Sequence, residues 1–163
     1  MHVKWPGDGL PKRLWEAAGQ GGIVVSSGMT NLRTLVLPTQ PDVMAPDGSE
    51  VRVLAATGRG SMAHFTLPPG GVSRAVAHRT VEEVWYFLSG RGRMWRKLGG
   101  EEVVAEVGAG VSIAIPTGAH FQFRADGDEP LAAVGVTMPP WPGAEEVYAV
   151  EGCWQPNIGD KAR

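Results

Sequence analysis

The sequence predicts an all-β protein, built as an antiparallel sandwich or a closed barrel. Three observations support this class: short apolar or alternating runs recur along the chain, Gly- or Pro-containing turns fill nearly every gap, and alternating helical and strand segments are missing. The 163 residues include 23 glycines and 13 prolines, which are spread along the chain rather than gathered in one tract. This length suits a single domain whose core is large enough to fold without disulfides.

Runs rich in β-branched and aromatic residues predict the strands in chain order. Turn sequences such as PDG, PPGG, SGRG and DGD separate many of these runs. The predicted strands are Leu32–Leu37, Val51–Ala55, Met62–Leu67, Val84–Leu88, Arg93–Lys97, Val103–Val107, Val111–Ile115, Phe121–Arg124 and Leu131–Met138.

The segments on either side of these runs differ from them in composition. We expect residues 1–50 to form an N-terminal extension that packs on a barrel of residues 51–139, with one short helix at Pro11–Gly19. Residues 140–163 predict an extended C-terminal arm, because prolines flank Trp141. The bulky rings of this arm must be buried, either on its own barrel or across a two-fold interface shared with the N-terminal extension.

Charge and cysteine content exclude several partners. The formal net charge is −2 and Lys and Arg form no dense cluster, which argues against binding to nucleic acid or to an anionic membrane. The single cysteine, Cys153, cannot form an internal disulfide, and we predict a passive thiol. With no apolar leader and no run long enough to span a bilayer, the expected location is the cytoplasm.

The most informative stretch is GGVSRAVAHRTVEEVWYFLSG, from Gly70 to Gly90, in which His78 and Glu83 lie five residues apart between glycine turns. A shorter stretch, GVSIAIPTGAHFQF from Gly110, has a similar organisation. In both, strand-forming residues run into a Gly turn, so the polar groups are expected on strands that face one enclosed space.

These two stretches resemble the two sequence motifs of the cupin superfamily, whose members are small jelly-roll β-barrels. In the first motif, the glycine, second histidine, glutamate and closing glycine positions are filled by Gly70, His78, Glu83 and Gly90, and the first histidine position holds Val76. The resemblance implies a cupin-type jelly-roll barrel, which is commonly a homodimer.

The second motif matches at its glycine and proline positions. Gly110, Pro116 and Gly118 have the family's spacing, whereas Phe121 stands at the histidine position and His120 falls one residue early. The resemblance implies a divalent metal held by three histidines and one glutamate, of which this chain keeps His78 and Glu83. Recruitment of His64 or His120 would be needed to add donors.

The residues leave several roles open for His78 and Glu83. The two side chains could form a buried structural hydrogen bond, bind a metal weakly, or act as a general acid and base. Alternation along the strands places further apolar side chains beside them, and these predict a hydrophobic ligand pocket. The predicted pocket residues are Val76, Trp85, Phe87, Phe121 and Phe123.

Three functions remain from this sequence. The favoured prediction is a protein that binds a small molecule in its cavity. No cofactor is required by this prediction, although a divalent metal ion remains possible. The first alternative is an enzyme. It would be either a metal-dependent oxygenase or isomerase, or a metal-free epimerase or cyclase that uses His78 and Glu83. The second alternative is an interaction protein whose barrel is filled with side chains.

Overall fold

A computed structural model describes residues 32–158 as an almost entirely β structure. The elements in chain order are β1 (Val43–Met44), β2 (Glu50–Ala56), β3 (Ser61–Leu67), β4 (Val76–His78), β5 (Glu82–Ser89), β6 (Arg91–Leu98), β7 (Glu101–Gly108), β8 (Ser112–Ile115), β9 (His120–Ala125), β10 (Leu131–Met138), a 3-10 helix (Ala144–Glu146) and β11 (Val147–Ala149).

The strands form two antiparallel sheets that pack face to face. One sheet has the order β1-β2-β3-β10-β5-β8 and the other has the order β11-β4-β9-β6-β7. Strands distant in sequence are neighbours in both sheets, as in a jelly roll. The predicted all-β jelly-roll class is therefore confirmed.

Strand β5 shows how the sequence separates the core from the surface. Glu83, Trp85 and Phe87 are buried, and the residues between them are exposed. Because successive side chains on a strand point to opposite faces, this pattern turns one face of β5 into the space between the sheets. The polar Glu83 therefore enters the core with the two aromatic rings.

Eight of the nine predicted runs coincide with strands β2, β3 and β5–β10. The prediction of a strand at Leu32–Leu37 is wrong: among residues 32–158, this segment belongs to no strand. Leu32 and Val36 are 92% and 88% exposed, so its apolar residues bury little surface that could hold it in a sheet. The predicted helix at Pro11–Gly19 lies outside the described residues.

The C-terminal arm crosses its own barrel. Strand β11 extends the second sheet by pairing with β4, and Gln122 of β9 fixes the chain farther along. The buried Gln122 amide donates to the carbonyls of Trp154 and Ser73 at 2.8 Å and accepts the Trp154 N–H at 2.9 Å. As far as residue 158, the arm therefore packs on its own barrel.

One turn depends on glycine. Gly90, in the sharp turn between β5 and β6, has a φ of 77°, and a Cβ there would collide with the carbonyl oxygen of Pro130. This turn sends the chain from one sheet to the other. Across residues 32–158, none of the helical structure is long and apolar enough to cross a membrane.

Candidate functional site

A cavity of about 330 Å³ lies between the two sheets. Strands β2, β3 and β5 contribute one wall, β4, β9 and β11 contribute the other, and the arm adds Pro140 and Trp141. Most of the lining side chains are apolar, and the polar ones include Asp47, Ser61, His78, Glu83 and Thr137.

His78 ends the three-residue strand β4 and lines this cavity. Its imidazole is 6% exposed and makes edge contacts with the rings of Phe121 and Trp141, each at a centroid distance of 5.2 Å. Within the described part of the chain, its buried Nδ1 has no hydrogen-bond partner. A buried nitrogen without a hydrogen-bond partner costs free energy, so a polar group that entered the cavity could gain a hydrogen bond with Nδ1 of His78.

Glu83 reaches the same cavity from β5 and is 3% exposed. Its Oε2 accepts a hydrogen bond of 2.8 Å from Nε1 of Trp85 and lies 4.0 Å from Nδ1 of His78. The second distance is too long for a hydrogen bond. The imidazole and the carboxyl group are therefore neighbours with room for one ligand atom to contact both.

Burial acts on the two groups in opposite directions. It raises the pKa of Glu83 to about 8, against the indole hydrogen bond and with the support of the negative charges of Asp47 and Glu146. It lowers the pKa of His78 to about 4, against the attraction of Glu146. At pH 7 the pair is accordingly a neutral carboxylic acid beside a neutral imidazole.

A row of polar side chains crosses the first sheet beside Glu83. In the strand register, Glu83 of β5 lies opposite Thr137 of β10, and Thr137 lies opposite Ser61 of β3. The Ser61 and Thr137 hydroxyl groups lie 2.5 Å apart, and Ser61 Oγ accepts a hydrogen bond of 2.8 Å from the backbone N–H of Trp141. This row ties the start of the arm to the polar end of the cavity.

Two aromatic rings lie next to this polar row on the same sheet. The rings of Phe65 and Trp85 stack at a centroid distance of 4.4 Å and an angle of 10°, although β10 runs between their strands. Gly135 of β10 makes this possible, since a Cβ there would lie 2.8 Å from both Phe65 Cε2 and Trp85 Nε1. The glycine thus allows a flat aromatic wall and leaves the indole N–H directed at Glu83.

The predicted pocket residues divide into two groups. Val76, Trp85 and Phe121 line the cavity with His78 and Glu83. Phe87 and Phe123 are 0% and 1% exposed, belong to the hydrophobic core, and are not among the lining residues. Both rings pack against the ring of Trp85, with centroid distances of 6.2 Å for Phe87 and 5.2 Å for Phe123. They therefore support the cavity wall from the side of the hydrophobic core.

His64 and His120 are not brought to the cavity. His64 points to the other face of β3, between the inward-facing Ala63 and Phe65, and its pKa is lowered by burial and by the charge of Arg52. His120 precedes the inward-facing Phe121 on β9. Among residues 32–158, no group of three or more His, Cys, Asp and Glu side chains is placed to hold a metal ion.

Sequence reasoning missed several lining residues. Asp47 is buried and accepts hydrogen bonds from the backbone and hydroxyl groups of Ser49 at 2.8 and 2.7 Å. Its position in a PDG turn gave no sign of burial. Thr137 lies on a strand that was predicted, and Ser61 directly precedes the predicted run Met62–Leu67, but the adjacency of β3, β10 and β5 is not visible in the sequence.

Together, these observations define a small β-barrel of two antiparallel sheets that encloses a cavity. The family model described as "Cupin domain" matches residues 63–137, which include both motif stretches. Residues 63–137 therefore carry a cupin domain. A search of curated proteins found no significant match.

Similar solved structures share the fold at low identity. Oxalate decarboxylase from Bacillus subtilis at pH 4.6 is 19% identical with a TM-score of 0.56, and the match covers 64% of this chain and 28% of that one. CapF with the inhibitor 3-isopropenyl-tropolone is 18% identical with a TM-score of 0.57, covering 74% and 35% of the two chains. BH2720 from Bacillus halodurans is 20% identical with a TM-score of 0.52, covering 57% and 72%.

The similarity spans only 28% of oxalate decarboxylase, the protein at the head of the structural comparison. Another structure of that decarboxylase is described by its Mn(II) centres. At such identities the comparison establishes the shared fold, and the chemistry of this chain has to be argued from its own residues.

Proposed function

We propose that this protein binds a small, largely apolar organic molecule in its central cavity without using a metal ion. The observation that carries this proposal is the cavity of about 330 Å³, in which a buried imidazole nitrogen without a partner lies beside a carboxyl group. Ligand sites are typically apolar hollows of about 300–1,000 Å³ with a few polar anchors. A barrel filled with side chains, as an interaction protein would have, does not fit a hollow of this size.

The donors in the cavity do not suit the divalent metal that the cupin fold implies. His78 and Glu83 supply two donors, and hydrocarbon side chains fill the other two motif positions, Val76 and Phe121. One of the Glu83 oxygens is already hydrogen-bonded to Trp85. Two protein donors leave most of the coordination shell to water, which does not suit a tightly held divalent ion.

Metal-free acid–base catalysis is a second candidate, supported by the opposed pKa values of the pair. At pH 7 the neutral Glu83 can donate a proton to a ligand oxygen, and the neutral His78 can accept one from an acidic C–H bond. The 4.0 Å between Nδ1 and Oε2 allows both groups to reach one small ligand. The reactions of this class are isomerisations, epimerisations and cyclisations that move a proton.

We also propose that the protein is a cytoplasmic homodimer. Support for a dimer comes from the outer face of β5, where Val84, Tyr86 and Leu88 are 46%, 51% and 44% exposed. Apolar residues that adjoin one another on a sheet surface are typical of a contact with another chain. Sedimentation velocity of the wild type and of Tyr86→Lys tests this, since a dimer through this face is expected to dissociate in the variant.

Ligand binding is tested by nuclear magnetic resonance with a set of uncharged aromatic fragments. We expect bound fragments to shift the indole N–H signal of Trp85, which is hydrogen-bonded to Glu83 at the cavity. Ala63→Leu, whose added side chain would enter the cavity, should abolish the shifts. Ala114→Leu, on an exposed position of β8, should preserve them. Shifts that survive Ala63→Leu would place binding elsewhere and overturn the proposal.

A further inference from the structure

The geometry points to a protonated amine, carried on an apolar body of about the size of one or two rings, as the ligand of this cavity. The inference rests on the proposed binding function and adds the charge of the ligand. It is built from the acidic groups around the cavity, the aromatic rings that line it, and the imidazole nitrogen that lacks a partner.

The ionisable side chains around the buried end of the cavity are mainly acidic. Asp47 and Glu83 line it, and the carboxylates that act on Glu83 are Asp47 and Glu146. The positive charge of Arg74 acts on Asp47, whereas Arg33, which also lines the cavity, is exposed to solvent. A cation beside Glu83 would therefore favour the ionised form of this carboxyl group and be attracted to it, whereas an anion would favour the neutral form and meet the negative charges of Asp47 and Glu146.

Aromatic rings provide the second part of the argument. Phe65, Trp85, Phe121 and Trp141 all line the cavity, and they do so from β3, β5, β9 and the arm. The faces of such rings carry partial negative charge, and protein sites that recognise organic ammonium groups commonly surround them with rings. An apolar body attached to the ammonium group would fill the remaining space against the same rings.

His78 and Glu83 complete the match to an ammonium group. His78 is 6% exposed and its Nδ1 has no hydrogen-bond partner in the described residues, so in the tautomer with hydrogen on Nε2 this nitrogen accepts a hydrogen bond. A carboxylate accepts several hydrogen bonds, and that of Glu83 lies 4.0 Å from the imidazole. An ammonium group, with three N–H donors, would satisfy both acceptors and hold Glu83 in its ionised form.

A matched probe series tests the charge of the ligand. The probes 2-naphthylmethylamine, 2-naphthylmethanol and 2-naphthoate share one aromatic body and are a cation, a neutral molecule and an anion at pH 7. By titration calorimetry we expect the amine to bind at least tenfold more tightly than the alcohol, and the carboxylate to bind most weakly. Equal or tighter binding of the alcohol or the carboxylate would overturn the inference while leaving the proposed binding function intact.

Replacement of Glu83 tests whether its carboxyl group causes the preference for the amine over the alcohol. Glu83→Gln keeps the shape of the side chain, and we expect the amine to lose its advantage over the alcohol. Glu82→Gln, on the exposed face of the same strand, should keep the wild-type preference. A preference for the amine that survives Glu83→Gln would remove this carboxyl group from the site. Failure of all three probes to bind the wild type would count against the proposed function itself, and the inference would fail with it.

Discussion

Val76 and Phe121 face each other across strands β4 and β9, where their Cα atoms form the pair that joins these strands. Both side chains line the cavity and each is 2% exposed. The cupin motifs have a histidine at each of these positions. Two hydrocarbon side chains therefore form one continuous apolar patch beside His78, where the family resemblance would have placed further metal donors.

The double substitution Val76→His, Phe121→His is expected to create a site for about one divalent ion per chain. With His78 and Glu83, the new side chains would bring four donors together on neighbouring strands. Addition of Mn²⁺ should raise the melting temperature of the double variant and leave that of the wild type unchanged. Val104→His, on exposed strand β7, controls for a histidine at the surface. About one tightly held ion per chain in wild-type protein purified without chelators would refute our account of the donors.

Gly135→Ala is expected to lower the free energy of unfolding by about 1–3 kcal/mol, because the added Cβ would press on two packed rings. These are the rings of Phe65 and Trp85, whose nearest atoms would lie 2.8 Å from it. Displacement of Trp85 should also weaken ligand binding, since its indole holds Glu83. Urea unfolding measures the first effect.

Gly100→Ala is the matched control for this change. A Cβ at Gly100 meets nothing within 4 Å, so its free energy of unfolding is expected to stay within about 0.5 kcal/mol of the wild-type value. If Gly135→Ala were as stable as this control, the tight approach of the two rings to β10 would not hold in solution.

The sequence predicted the fold well where local pattern determines structure. Strand β5 alternates in sequence as it does in burial, so the common face of Glu83, Trp85 and Phe87 was visible. By contrast, the places of Gly135 and Thr137 next to that face depend on β10 lying between β3 and β5. Such long-range pairing leaves no mark within one sequence, and the polar row and the aromatic stack were therefore missed.

Similar local composition had different outcomes at the two ends of the described chain. The run Leu32–Leu37 has a strand-like composition but finds no strand partner among residues 32–158, whereas the three residues of β11 pair with β4. The difference lies in the neighbours, because β11 is held by Glu146, which accepts hydrogen bonds from the N–H groups of Thr80 and Val81. A carboxylate that anchors a turn 65 residues away is not predictable from the residues around it.

Stability is expected to fall as the pH rises from about 6.5 to 8. The pKa of Glu83 is about 8 in the folded protein and that of an ordinary glutamate is 4.5, so in this range the unfolded chain has lost a proton that the folded chain keeps. The free energy of unfolding then decreases by up to about 1.4 kcal/mol per pH unit. Urea unfolding of Glu83→Gln should show a weaker decrease over the same range.

His78 has the opposite effect at lower pH. Its pKa is about 4 in the folded protein against 6.5 for an ordinary histidine, so the unfolded chain gains a proton first and stability falls as the pH drops from about 6.5 to 4. Below pH 6.5 this effect on the free energy of unfolding offsets that of Glu83. The contribution of Glu83 is therefore measured between pH 6.5 and 8. Glu82→Gln is the control, and parallel curves for Glu83→Gln and wild type between pH 6.5 and 8 would contradict a buried neutral carboxyl group.

Glu146→Ala is expected to detach the arm from the barrel near the cavity. The Glu146 carboxylate accepts hydrogen bonds from both the N–H and the hydroxyl group of Thr80 and from the N–H of Val81. Burial raises its pKa, but these bonds outweigh burial and hold the pKa below its ordinary value. Loss of the acceptor leaves the N–H groups unsatisfied and should lower the free energy of unfolding by about 2–3 kcal/mol.

Limited proteolysis distinguishes release of the arm from general destabilisation. We expect the Glu146→Ala variant to be cut first within residues 140–158, because Trp141 and β11 lose their attachment while the sheets persist. Glu145→Ala, at the exposed neighbouring position in the same 3-10 helix, should be cut like the wild type. Since Trp141 lines the cavity, the Glu146→Ala variant should also bind ligand more weakly. Wild-type cleavage combined with wild-type affinity would show that Glu146 does not hold the arm over the site.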